Sequence, residues 1–138
     1  TVSLKPPGTV AGLAPGIHST DIDSPQSLAS EAAERGLFFA RIDLTDCSDK
    51  AGLLQAFGSA LAFPSWFGEN WDAFADCLAD LDWLGAAGHV LLIEGRTAIA
   101  RHAPEALETC EEILAETVIE RGEHGLPMWV FWRTTDAP

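Results

Sequence analysis

The stretch His89-Val90-Leu91-Leu92-Ile93 is a short, unbroken apolar run, set off on its amino side by Gly85 and Gly88. A strand with one wet face alternates apolar and polar residues. A continuous run of this length instead suits a strand covered on both faces, as in a parallel sheet. Outward from it, Leu37-Phe38-Phe39-Ala40-Arg41-Ile42-Asp43-Leu44 reads as an earlier strand, apolar first and alternating later, and Met128-Trp129-Val130-Phe131-Trp132 as the last one. The intervening segments carry helical signals. Ser24 before Pro25 is an N-cap with proline at the first helical position, opening a helix that runs to about Arg35 and stops at Gly36. Asp46 or Ser48 can cap a second helix through Leu53, Leu54 and Phe57, ending near Ala62, and Asn70 caps a third from Trp71 to about Leu81. Thr97 to His102 makes one or two turns, and Pro104 opens a long amphipathic helix through Leu107, Cys110, Ile113, Leu114 and Val118 that Gly122 ends.

Strands separated by helices predict an α/β fold: a small parallel sheet of three core strands flanked by about four helices, with an extra helical extension at the N-terminus. Residues 1–16 are rich in proline and glycine and read as a flexible arm, which leaves 17–138 as a single domain. A chain of 138 residues buries a real core without metals or disulfides. No apolar run approaches the ~20 residues of a membrane span. The 21 Asp plus Glu against 8 Lys plus Arg give a net charge of −13, a balance that disfavours phosphate backbones and therefore nucleic acid. It favours a cation-rich partner, or simply solubility. Cys47, Cys77 and Cys110 are an odd count with no CxxC or Cys/His pairing, and read as reduced core thiols. Thr1 to Pro7 lack the basic-then-apolar pattern of a secretion signal, so the cytoplasm is the expected compartment.

Between Lys50 and Arg96 there is no lysine or arginine, yet the same stretch holds Glu69, Asp72, Asp76, Asp80, Asp82 and Glu94, together with Trp66, Trp71 and Trp83. Winding residues 69–83 at about 100° per residue places Trp71, Phe74, Cys77, Leu78 and Leu81 on one side. Glu69, Asp72, Asp76 and Asp80 fall on the other, interleaved with Ala73 and Ala79. Like charges at i, i+4 and i+8 disfavour a helix by roughly 0.2–0.5 kcal/mol per pair, and the helix dipole helps only Asp72. A solvated acidic face is one reading of this row. A docking surface for a cationic pocket is the other, with Trp66 on the preceding loop as a flat apolar anchor. Two carboxylates one turn apart could also hold a divalent cation or act as an acid/base pair. Against catalysis, no histidine lies close in sequence, Gly68-Glu69-Asn70 has a single glycine, and adjacent turns do not face two carboxyls across a cleft. His18, His89, His102 and His124 have no ligand spacing, so no metal and no cofactor is expected.

The segment Phe63-Pro64-Ser65-Trp66-Phe67-Gly68-Glu69-Asn70-Trp71-Asp72-Ala73-Phe74-Ala75-Asp76-Cys77-Leu78 resembles the signature of the barstar family, intracellular inhibitors of secreted guanyl-specific ribonucleases such as barnase. The resemblance covers roughly residues 36–133 and implies a three-stranded parallel sheet, a loop and helix that plug the ribonuclease active site, and no reaction of the protein's own. It implies that Asp76 enters the phosphate-binding pocket, that Asp72 pairs with an enzyme arginine, and that Trp66 packs over the catalytic histidine. Gly68 and Asn70 match the contact loop, Ala79 and Asp80 match small contact residues at the helix end, and Glu116 and Glu120 match acidic contacts on the long helix. Trp71 stands at a smaller apolar position and Ala75 where a tryptophan can occur, which alters the contact area but leaves the charge scheme intact. The expectation is a one-to-one complex with a guanyl-specific ribonuclease. The alternative is an acidic binding or immunity module for another basic toxin or a regulator.

Overall fold

The computed structural model describes residues 14–20, 25–64 and 70–133. Among these residues the elements follow in the order β1 (Gly16–Thr20), α1 (Pro25–Glu34), β2 (Phe38–Asp43), α2 (Lys50–Ala60), α3 (Trp71–Asp80), a 3-10 turn (Asp82–Leu84), β3 (His89–Glu94), α4 (Thr97–His102), α5 (Pro104–Glu123) and β4 (Met128–Arg133). All strand pairings are parallel, in the order β1-β4-β3-β2. The expected α/β architecture is therefore present, and the sheet carries a fourth strand. β1 lies at the edge beside β4, so Gly16, assigned from its prolines and glycines to the arm, is the first residue of a strand.

The apolar run that predicted a doubly covered strand forms β3, and all six of its residues are buried. Because strand side chains alternate, its two faces feed two cores. Leu91 and Ile93 join Ile42, Val130 and Trp132 beneath α2, α3 and α5, where Leu54, Phe57, Phe74, Leu78, Cys110 and Leu114 pack. Val90, Leu92 and Phe131 point the other way, onto Leu28 and Ala32 of α1. The N-terminal extension is thus the lid of the sheet's second face. At the carboxyl end of β3 the buried Glu94 carboxylate pairs with Arg41 of β2 and Arg133 of β4, a strap across three strands.

Several helix boundaries differ from expectation. Asp49, rather than Asp46 or Ser48, caps α2: its backbone is extended and its Oδ1 accepts from the Gly52 N–H at 2.8 Å. Gly122 lies inside α5 instead of ending it. The glycine that ends it is Gly125, at φ 72°, a left-handed position that costs glycine little. There the Leu126 N–H reaches the Arg121 carbonyl at 2.8 Å and the Gly125 N–H reaches that of Gly122 at 3.1 Å, which closes the helix in a Schellman turn. Ser24, the expected cap of α1, lies outside the described residues, as does the arm through residue 13. The three cysteines are free and buried. No helix among the described residues is long and apolar enough to cross a membrane.

Candidate functional site

The candidate site is built on α3. Asn70 starts it: its backbone is extended and its Oδ1 accepts from the Ala73 N–H at 2.8 Å, satisfying one of the orphan donors of the first turn. Phe74, Cys77 and Leu78 are fully buried and hold the helix against the sheet, with Phe74 edge-on to Phe57 at 5.0 Å. That anchoring turns the opposite face outward. Asp72, Asp76 and Asp80 are exposed, as the winding predicts, and Ala73, Ala75 and Ala79 are half-buried between them.

Five of the seven described lysines and arginines are engaged away from the row's carboxylates. Arg41 and Arg133 sit on Glu94, Arg96 pairs with Glu111 at 3.5 Å, and Arg35 approaches Glu31 at 3.8 Å. The Lys50 ammonium lies 5.6 Å from the centre of the Trp71 ring. Among the described residues, none of these ion pairs reaches Asp72, Asp76 or Asp80. The cation nearest the row is Arg121, which meets the backbone at the Asp80 end of α3 and not the carboxylates.

α5 packs beside α3 and adds to the same side. Glu116 and Glu120 are exposed, one turn apart. Glu120 shares a recess of about 280 Å3 with Ala79, Asp80, Asp82 and His124, in which Arg121 forms the buried wall. The structure therefore brings together Ala79, Asp80 and Glu120, which the sequence placed on different helices. Trp71 stands apart. It is half-buried, tilted against Phe74 at 5.7 Å, and lines a separate depression with Lys50, His102 and Thr109. Trp66 and Gly68, with Glu69 of the same loop, lie outside the described residues.

Sequence reasoning missed Arg121. It reads as an ordinary basic residue in the last turn of a helix, yet it is 2% exposed and reaches across to α3. Its Nη1 donates to the carbonyls of Leu78 at 3.3 Å, Ala79 at 3.1 Å and Asp80 at 3.2 Å, and its Nη2 lies 2.8 Å from His89 Nδ1. Since a guanidinium can only donate, Nδ1 is the acceptor and the ring proton sits on Nε2. Burial first, and then the Arg121 charge, push the His89 imidazole down to about 4, so it is neutral at physiological pH. Burial lowers Arg121 from its ordinary value while the nearby Asp82 and Asp80 charges act in the opposite sense.

Cys77, on the buried side of α3, is not poised as a nucleophile. Burial, and then the charges of Asp76 and Asp80, raise the Cys77 thiol, the reverse of what a thiolate nucleophile requires. Among the described residues no three His, Cys, Asp or Glu side chains cluster as metal ligands would. α3 presents a ridge of exposed carboxylates with no ion pair among the described residues. The family profile described as Barstar (barnase inhibitor) matches residues 37–133, from the start of β2 to the end of β4. The chain belongs to the barstar family. Its acidic helix, with the loop before it and α5 beside it, lies inside the matched region, whereas β1 and α1 precede it. A search of curated proteins returns no match for the chain.

Proposed function

We propose that this barstar-family chain inhibits a guanyl-specific ribonuclease of the barnase type by one-to-one occlusion, acting in the cytoplasm. A ribonuclease must present cationic groups to hold a phosphodiester. Carboxylates offered at helical spacing imitate the charge of that substrate, occupy the cleft and leave nothing to cleave. In this reading Asp76 enters the phosphate site and Asp72 and Asp80 flank it. Trp66, Gly68 and Asn70 approach from the loop, Trp71, Ala75 and Ala79 fill the contact, and Glu116 and Glu120 widen it from α5. The chain performs no reaction and needs no cofactor, metal, membrane or nucleic acid.

The observation that carries the reading is the row Asp72, Asp76, Asp80: exposed, unpaired among the described residues, and on the helix that the family match contains. Like charges at this spacing destabilise a free helix, and a positive cleft relieves that cost when it closes over them. The −13 charge also steers a basic enzyme toward the chain, with association reaching ~10⁸–10⁹ M⁻¹s⁻¹ at low salt.

The test is titration of the protein against a panel of guanyl-specific ribonucleases while RNA cleavage is followed. Stoichiometric loss of cleavage is expected with at least one of them. Asp76→Ala should weaken that inhibition by about 3–5 kcal/mol, because the enzyme's cations would stay buried without their mate. A chain that inhibits none of the panel, and instead captures a nucleic-acid-binding regulator, would transfer the same acidic surface to a different basic partner.

A further inference from the structure

The end of α3 is a poor helix terminus on its own terms. Its last carbonyls are orphaned and carry the negative end of the helix dipole, and Asp80 adds a formal negative charge there. The last turn holds no basic residue. The capping residue is Leu81 at φ 54°, a left-handed backbone that costs a side chain of this kind roughly 1–2 kcal/mol. Left to itself, this turn should fray, and it is the turn that carries Asp80 and follows directly on Asp76.

Arg121 meets the unpaired carbonyls and the negative charge from another element. Its charge sits against the dipole's negative end, and its Nη1 serves the three orphaned carbonyls of Leu78, Ala79 and Asp80. Its Nη2 is held by His89 Nδ1 at the head of β3, a buried strand between two parallel neighbours. There the His89 N–H bonds the Pro127 carbonyl at 3.0 Å and the Phe38 ring lies 6.2 Å from the imidazole. The carboxylate of Asp80 is not the group that receives the guanidinium. Nη1 donates to backbone, so the helix end is secured without an ion pair to Asp80, whose Oδ1 instead accepts from the Asp82 N–H at 3.2 Å. The ionisable groups around the pair are Asp80 at α3's end, Asp82 in the following turn, Glu120 of α5 and His124 at that helix's C-cap.

We propose that Arg121 is a positioning residue for the docking helix: by tying the last turn of α3 to His89 on the sheet, it fixes where Asp76 and Asp80 stand when a partner arrives. The proposal rests on the reading of α3 as the inhibitory surface and deepens it. It also separates two roles of one charge. If Arg121 acted only as a charge, removing it would make the surface more negative and improve binding to a cationic cleft. If it positions, removing it loosens the complex despite the added negative charge.

The test uses the full chain with Arg121→Met, which keeps the stem, and Arg121→Lys, which keeps a charge but cannot span carbonyls and imidazole together. In the free protein, hydrogen exchange at the Leu81 and Leu84 amides should quicken about tenfold in the Met variant while the β3 and β4 amides keep their protection. Against barnase, or whichever ribonuclease of the panel the wild type inhibits, dissociation should quicken about tenfold with association no slower. Arg121→Lys should fall between, and it carries the test should the Met variant not fold. Exchange that accelerates evenly through the sheet, or dissociation unchanged in a variant whose wild type binds normally, overturns this proposal alone. A wild-type chain that binds no ribonuclease overturns the docking reading and this proposal with it.

Discussion

His89 is neutral because it is buried against a guanidinium, and that makes it an acid-sensitive joint. Its ordinary value is near 6.5 and the fold depresses it to about 4. Between those two values the unfolded chain binds a proton that the folded chain refuses. Stability from this residue is therefore complete above about pH 6.5 and declines as the pH falls toward 4, by up to about 1.4 kcal/mol per pH unit. His89→Gln, whose amide oxygen can accept from Arg121 without titrating, should flatten that slope. Urea denaturation between pH 4.5 and 6.5 reads it, and equal slopes in both proteins would count against the assignment. At this scale the sequence was informative only where a residue's role is local. Asp72, Asp76 and Asp80 declare their shared face by spacing alone. Arg121 does not, because its partners lie more than 40 positions away on α3, and its place at a helix C-terminus already looks explained by its own helix dipole.

Among the elements, helix starts and stops were legible to the extent that one residue type dominates the signal. Asn70 stands alone before Trp71, and its capping of α3 is legible from the sequence. Asp46, Ser48 and Asp49 are all capping types within four positions, and only the extended backbone at Asp49 shows which one serves α2. Gly122 was a reasonable terminator by composition, but the left-handed turn falls at Gly125. β1 escaped because five residues beginning with glycine and preceded by prolines resemble a linker, and an edge strand needs only its neighbour β4 to form. The cap on α3 can be weighed directly. Asn70→Ala should cost about 1 kcal/mol of folding stability, measured by denaturant melting, whereas Asn70→Asp should cost much less. Equal losses in the two would show that the side chain's capping bond is not what matters there.

For the whole molecule, β1 and α1 lie outside the family match yet are part of the fold. Leu28 and Ala32 of α1 are fully buried over Val90, Leu92 and Phe131. Leu28→Ala should accordingly cost about 2–5 kcal/mol in denaturation, while the folded fraction still inhibits as well as wild type, since the acidic row lies on a helix packed against the other core. Binding lost in proportion to that helix, rather than to folding, would mean the extension reaches the partner. The central claim concerns charge presented outward from one rigid ridge. Its most direct test is the inhibition constant of the triple variant Asp72→Asn, Asp76→Asn, Asp80→Asn against a ribonuclease that the wild type inhibits. Inhibition is expected to weaken at least about 100-fold with folding intact, since each isosteric change leaves a cation of the enzyme without its mate. A triple variant that inhibits within about threefold of wild type would contradict the account, because 1.4 kcal/mol per decade leaves almost no free energy for the row to have supplied.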